Sequence, residues 1–292
     1  MITTIGDLVV DLIVSHKGNH FGTDSESSIA TYAGGQANHV AAWIAKCESN
    51  STLVGRVGND LYGDFLLKEA KQLGITTAVE RDPVLETGKI IILVDESTSE
   101  RSMYTDRGAN IHLSPDQVEA SEETIQQSSC LYISGYALFQ ENTYQAMVKA
   151  KEIAKAHHVP VALDPSSTYF LEKFKKRIIT FAEDVDFLFP NYEEGVFLTG
   201  EQDPDAIMVA LKKMSANPIL KLGDKGCLLP NGEYITATKV KAVDTTGAGD
   251  SFIGAFLAKY EKTKDIFASA TFANQIAATA VQKYGGRPSL SS

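Results

Sequence analysis

Val243-Asp244-Thr245-Thr246-Gly247-Ala248-Gly249-Asp250-Ser251-Phe252-Ile253-Gly254-Ala255 is the stretch whose reading decides the fold. It follows a short apolar run and opens a segment that reads as helix over 251–260. Gly247, Ala248 and Gly249 are small enough for the backbone to approach a ligand closely. Backbone N–H groups at a glycine-rich helix start form an anion hole, and the helix dipole favours negative charge there. Asp250 stands at the first turn, where a carboxylate can face whatever the amides hold. An acid beside an anion hole suggests phosphoryl transfer: the amides stabilise the moving group and the acid takes the proton of the attacking hydroxyl. The plain alternative is a helix N-cap, with Asp250 capping and the glycines turning the chain. With small Gly254 and Ala255 one turn on, the full D-T-T-G-A-G-D pattern is far more specific than a lone G-x-G-D.

Upstream of this stretch the chain alternates strand and helix. Residues 130–134, 159–163, 185–189 and 218–222 read as strands, with helices over 141–157 and 203–215 and another starting at Ser114-Pro115-Asp116. A closing hairpin is read at 227–229 and 234–237. Repeated β-α units predict an α/β chain with a doubly wound, mainly parallel sheet and helices on both faces. Ligands of such sheets bind beyond the carboxyl ends of the strands. Asp164, Asn191, Gly223 and the 244–250 loop all stand at predicted strand ends.

The N-terminal part carries a second set of polar groups. Residues 2–14 read as a first strand interrupted at Gly6-Asp7, with Asp7 and Asp11 set in an apolar run. A charge in a buried strand is costly unless used or paired, and carboxylates accept the hydroxyls of a polyol. Turn capping is the alternative for each. Residues 15–31, with Gly18 and Gly22, read as loop or edge. Gly34-Gly35-Gln36-Ala37-Asn38 precedes a helix over 40–46, offering amides and, at Asn38, a side chain for hydroxyls. In the Gly55–Gly63 segment, between a strand over 52–57 and a helix ending at Gly74, Asp60 reads as a helix cap. Strands over 89–94 and 101–104, with a polar turn at 95–100, read as a hairpin, which with 15–31 would make a small separate sheet. Arg107 returns the chain to the core, either to meet a substrate's phosphate or carboxylate or to form an ordinary salt bridge.

The totals narrow the classes. The 292 residues can bury a large core. Hydrophobic content of 43% and charged content of 22% are those of a soluble globular protein. A net charge of -10 argues against a general nucleic-acid binder and against an anionic membrane surface. Cys47, Cys130 and Cys227 have no metal or disulfide spacing, the histidines form no cluster, and no signal peptide or membrane span is read. A cytoplasmic location is the expectation.

D-T-T-G-A-G-D resembles the second signature of the ribokinase-like sugar kinases, the PfkB family, and the likeness runs from Gly6 to about Ser289 with the motifs in family order. It implies a single ribokinase-like domain over 1–292, a small β lid from about 15–32 and 87–106, and a homodimer formed through that lid. It implies ATP with Mg²⁺ as cofactor and a small sugar as substrate. Asp250 would be the base, with Gly247, Ala248 and Gly249 holding the phosphoryl group. Asp11, Gly35, Asn38 and Arg107 would hold the sugar. The spacing G-G-Q-A-N is one residue shorter than the family's usual G-G-x-x-A-N. Asn191 and Glu194 match an N-x-x-E that organises magnesium through water, although the tetrapeptide also reads as an acidic helix start. Lys221, Gly223 and Gly226 resemble the strand and turn under the nucleotide, and Asn274, on an alanine-rich helix over 265–283, would lie beside adenine. Asp244 and Thr246, with the tail that includes Tyr284, would hold a monovalent cation, with K⁺ the candidate.

The substrate reading leans toward fructose or ketodeoxygluconate. Gln36 and Gly135-Tyr136 stand where ribose-type members carry Lys and Glu, and Glu100-Arg101 with Arg107 looks more like the former kinases. A nucleoside kinase is the alternative within the family. A non-catalytic sensor would have lost the base, and a dinucleotide oxidoreductase would need G-x-G-x-x-G after an early strand; the first turn here offers only Gly6-Asp7.

Overall fold

The computed structural model describes residues 1–16, 22–98, 101–283 and 285–289. Gly18, Glu100 and Tyr284 lie outside the described residues. The first half of the chain runs β1 (Ile2–Ile5), β2 (Val9–His16), β3 (Ser28–Gly34), α1 (Gln36–Lys46), β4 (Ser51–Gly58), α2 (Leu61–Gln72), β5 (Thr76–Asp82), β6 (Gly88–Asp95) and β7 (Arg101–Asp106). Then follow α3 (Pro115–Ala120), α4 (Glu122–Gln126), β8 (Cys130–Ser134), α5 (Glu141–Ala156), β9 (Val161–Asp164), α6 (Thr168–Ala182), β10 (Val185–Leu188), α7 (Tyr192–Thr199) and α8 (Pro204–Leu211). The chain closes with β11 (Ser215–Pro218), β12 (Leu220–Lys221), β13 (Cys227–Leu228), β14 (Tyr234–Ile235), α9 (Ala248–Thr263) and α10 (Ile266–Ala280).

The main sheet has seven strands in the order β11-β10-β9-β8-β1-β4-β5, and every pairing in it is parallel. Its strands alternate between two buried faces, as a sheet covered on both sides requires. On β8, Leu131 and Ile133 join one core cluster with Met147 and Ile153 of α5 and Ile178 of α6. Cys130 and Tyr132 join the opposite cluster with Phe252 and Phe256 of α9 and Ala273 of α10. The doubly wound α/β architecture is thus the one the alternation predicts. No helix among the described residues is long and apolar enough to cross a membrane.

Several boundaries differ from the sequence reading. The single interrupted strand over 2–14 is two strands in two sheets. Gly6, at φ +148°, breaks it where a Cβ would lie 2.7 Å from that of Ser134. Asn110 then holds the crossing, accepting from Leu8 N–H and donating to Leu8 C=O, each at 2.8 Å. β2 becomes an inner strand of a four-stranded sheet, β3-β2-β6-β7, paired antiparallel to β3 and parallel to β6. The polar stretch after it contains β3. The helix expected over 203–215 ends at Leu211, and Ser215 opens β11. The sequence pattern does not mark β5 or α6; β5 is an edge strand exposed along much of its length, so it lacks an apolar alternation.

Helix α9 begins at Ala248, three residues before the expected start, with Gly247 in the left-handed region at φ +70°. It lies against α1. The glycine of the quoted stretch that permits this is Gly254: a Cβ there would be 2.6 Å from the Cβ of Trp43 and 2.9 Å from the carbonyl oxygen of Val40. Backbone and a tryptophan stem cannot yield cheaply. Gly254→Ala is expected to destabilise the protein by about 1–3 kcal/mol, read as a lower urea midpoint at unchanged slope; an unchanged midpoint would show that the two helices can separate freely.

Candidate active site

The first turn of α9 sits between two cavities. A larger one, of about 760 Å³, is lined by Asp7, Asp11, Gly35, Gln36, His39, Arg107, Tyr136, Asp164, Asn191, Glu194, Lys221 and the 245–250 loop, with Ile90, Ile92, Met103 and Thr105 from the small sheet. A second, of about 500 Å³, is lined by Lys221, Gly223, Gly226, Asn274 and apolar residues of α9 and α10. Both share Lys221, Thr245, Ala248 and Gly249. Of the described residues given a catalytic, sugar-, nucleotide- or cation-binding role in the sequence analysis, all but Asn38 and Asp244 line one cavity or the other.

The junction lies at the N-terminus of α9. The first N–H groups of a helix have no partner within it. Ala248 N–H is taken by Thr245 C=O, and those of Gly249 and Asp250 follow at the positive end of the dipole. Gly247 has no room for a side chain, because its Cβ would lie 2.4 Å from the Cα of Gly286. Asp250 makes no capping hydrogen bond to the helix start, so the capping alternative is not what this side chain does. Its Oδ2 lies 2.9 Å from Nδ1 of His39. Burial raises the Asp250 pKa, Asp164 adds to the rise, and His39 and Lys221 oppose it.

Lys221 anchors the floor. Its Nζ donates to Asp164 Oδ2 at 2.7 Å. Burial works against its charge, but Asp164 and Glu194 outweigh it and hold its pKa up. Asn191 and Glu194 form a full capping box at the start of α7, each accepting from the other's backbone N–H at 2.8 Å. The acidic helix-start reading is therefore realised, yet Glu194 also faces the cavity. Burial, with Asp164 next, pushes its carboxyl up to about 8.

The far end of the larger cavity is polar and pre-paired. Arg107 donates to Asp7 Oδ2 at 3.1 Å and lies 4.3 Å from the ring centroid of Tyr136, so the ordinary salt bridge of the sequence reading exists within the cavity wall. Ser134 donates to Asp7 or Gln36, and Ser166 to Gln36. Asp11 is different: its Oδ1 is buried without a hydrogen-bond partner. Gly34 makes room for it, since a Cβ there would meet its carboxyl atoms at 2.4–2.5 Å. In the other cavity Asn274 is buried, donating to Ile235 C=O at 3.3 Å.

Asn38 and the pair Asp244 and Thr246 stand in surroundings other than those expected. Asn38 does not reach either cavity; it is fully buried and donates to Gly34 C=O at 3.0 Å. Helical geometry explains this: Gln36 and His39, three apart, share the cavity face of α1, and Asn38 lies off it. That spacing was the signal by which His39 could have been found. Asp244 and Thr246, expected to hold a monovalent cation, are paired within the chain. Asp244 Oδ1 already accepts from Thr246 N–H and O–H, and Gly285 N–H binds Oδ2. The guanidinium of Arg101, from β7, donates to Asp244 Oδ1 at 3.2 Å and to Thr246 Oγ1 at 3.0 Å, so the positive charge this carboxylate needs comes from the chain itself.

Residues 1–292 match the family model described as pfkB family carbohydrate kinase. The chain belongs to that family. It is a phosphotransferase with a hydroxyl group as acceptor. A deoxyribokinase of Salmonella typhi is 30% identical over all of this chain and 95% of its own length. A ribokinase of Staphylococcus aureus (strain COL) is 29% identical over 91% of this chain and 87% of its own. Among solved structures, a putative ribokinase II from E. coli in complex with ATP and Mg²⁺ superposes with a TM-score of 0.89 at 23% identity, covering 99% of this chain and 95% of that one. The ribokinase-like fold is thereby established.

Asp11 supplies a stability test. Burial raises its carboxyl from the ordinary 3.8 to about 6. A carboxyl raised by folding binds its proton more tightly in the folded state, so its favourable contribution holds below pH 4 and is lost as pH rises through about 6. At pH 7 the ionised group costs up to about 3 kcal/mol. Asp11→Asn is therefore expected to raise the urea midpoint at pH 7 and to lose that advantage at pH 4; equal gains at both would exclude the ionisation as cause.

Proposed function

We propose that this family member transfers the terminal phosphoryl group of ATP to a hydroxyl of a small sugar, with fructose- or ketodeoxygluconate-like sugars favoured. The observation that carries the reading is the single helix start shared by two cavities, with Asp250 at the shared edge. ATP suits the cavity of Gly223, Gly226 and Asn274, whose apolar walls on α9 and α10 fit a purine, with its phosphates toward Gly249 and Lys221. The sugar suits the other, where the unpartnered Asp11 oxygen calls for a hydroxyl donor. In that pose Asp250 takes the proton of the attacking hydroxyl, and the amides of Gly247, Gly249 and Asp250 stabilise the phosphoryl group in flight.

The residues also fit magnesium. Asp164 and Glu194 are two buried carboxyls facing the one ammonium of Lys221, which leaves negative charge for a hydrated ion to balance. Asn191 and Glu194 would hold it through water, and bound there it would neutralise phosphate charge. The role earlier expected of K⁺ falls to Arg101. Because Arg101 is committed to Asp244, the fructose-like preference now rests on Gln36, Tyr136 and Arg107. Ile90, Ile92 and Met103 would also suit a nucleoside base, which keeps nucleosides as the second reading. The cytoplasmic reading is kept on the three unpaired thiols. The small sheet exposes Ile29 at 69% and Tyr104 at 61%, and these support a homodimer through it; a monomer mass in light scattering would remove that reading.

The test is ADP release from Mg-ATP over ketoses, ketose phosphates, ketodeoxygluconate, ribose, deoxyribose and nucleosides. One acceptor should stand out, and Asp250→Asn should lower its kcat by roughly two to four decades while the protein stays folded. Turnover should be equal in potassium and choline salts. Near-full turnover in Asp250→Asn would sink the base assignment, and potassium dependence would sink the role given to Arg101.

A further inference from the structure

We infer that His39 is an imidazolium that serves as the positioning residue for Asp250, an inference that rests on the base role proposed above. His39 Nδ1 lies 2.9 Å from Asp250 Oδ2, and Nε2 lies 3.2 Å from the carbonyl oxygen of Ala33. An ionised carboxylate and a carbonyl can only accept. A neutral imidazole has one N–H and would leave one bare nitrogen lone pair facing an oxygen lone pair. Turning the ring over would put carbon against both oxygens. The doubly protonated ring satisfies both partners.

The surroundings keep the ring in that pose. Its side chain is only 7% exposed. The chain at Gly286 passes so close that a Cβ there would lie 2.8 Å from His39 Cε1 and 2.9 Å from Nδ1. Trp43 Nε1 donates to Gly286 C=O at 2.9 Å and fixes that segment. The charged groups that face His39 are Asp250 from α9, Asp11 from β2 and Arg287 from the tail. Burial works against the ring's charge, but the two carboxylates outweigh it and raise its pKa. Asp250 is faced in turn by His39, by Asp164 from β9 and by Lys221 from β12.

The consequence for transfer is specific. With Oδ2 held by His39, Oδ1 is the Asp250 oxygen left for a sugar hydroxyl. As the hydroxyl oxygen bonds to phosphorus and the bond to the departing ADP breaks, the hydroxyl proton passes to Oδ1. His39 keeps both of its protons throughout. Its work precedes the step: it aims the carboxylate and keeps it ionised in a buried place where burial favours the protonated form.

The test uses the intact enzyme and the best acceptor from the panel. His39→Gln should lower kcat at pH 7 about 10- to 100-fold, leave the KM for ATP unchanged, and move the acid limb of the pH profile of kcat to higher pH. The direction follows because the variant loses a cation that lowers the Asp250 pKa. A residue that merely fills space would change the melting temperature and the folded fraction but would leave that limb in place. A superimposable limb in a folded His39→Gln, with Asp250→Asn inactive, overturns the inference alone. An active Asp250→Asn overturns the base role itself. Independently of activity, the ¹⁵N shifts of the His39 ring at pH 7, assigned by comparison with His39→Gln, should show both nitrogens protonated; a neutral tautomer overturns the inference.

Discussion

The close crossing of α1 and α9 is the contact on which the rest depends. Gly254 lets the backbones of the two helices approach at Trp43 and Val40, and this fixes where both helices begin. The start of α9 carries the glycine-rich turn and Asp250; the start of α1 carries Gln36 and His39. The tail closes the arrangement from the third side, with Gly286 against both Gly247 and His39. A small residue at each meeting point replaces a side chain that would push these groups apart. Glycines that look alike in the sequence thus serve separate purposes: Gly247 supplies a left-handed turn, Gly254 a helix crossing and Gly34 a place for a carboxylate.

Charge is distributed around this frame under the same constraint. Asp7, Asp11, Asp164, Glu194 and Asp250 are all largely buried near one another, and Arg107, Lys221 and His39 stand among them. Buried charges persist only when they are paired or used. Asp7, Asp164 and Asp250 have cationic partners at 3.1, 2.7 and 2.9 Å. Asp11 and Glu194 do not, and both have strongly raised carboxyl pKa values. The two carboxyls left without a cation in hydrogen-bond contact are the ones proposed for a sugar hydroxyl and for magnesium. A fold optimised only for stability would have neutral residues there.

The four-stranded sheet contributes by reaching over the larger cavity from an unexpected origin. It shares β2 with what reads in the sequence as the first core strand, so the chain leaves the main sheet at Gly6 and comes back at β4. Arg101 on β7 then contacts the loop before α9, tying the sheet's outer strand to Asp244 and Thr246. Sheet, loop and tail therefore meet at one carboxylate.

The alternation of apolar strands with amphipathic helices was enough to determine a doubly wound α/β fold, because a parallel strand covered on both faces must be apolar on both. D-T-T-G-A-G-D by itself located the glycine-rich helix start and the acid beside it, since small residues before a helix leave their N–H groups open. The same local logic singled out Asp11, Gly35 and Arg107, and the family resemblance singled out Glu194, Lys221 and Asn274; all six stand at cavity walls. Local logic failed where a partner comes from far along the chain. Nothing local distinguishes His39 from the other histidines, and its meaning depends on a carboxylate 211 positions away. Asn38 looked more suited to hydroxyls, but the rotation of α1 turns it inward. Arg101 could take the charge expected of a cation only because β7 crosses to the 244–246 loop. Local pattern decides which elements form and which backbone groups they leave open; only packing decides which side chains, remote in sequence, share a few ångströms of buried space.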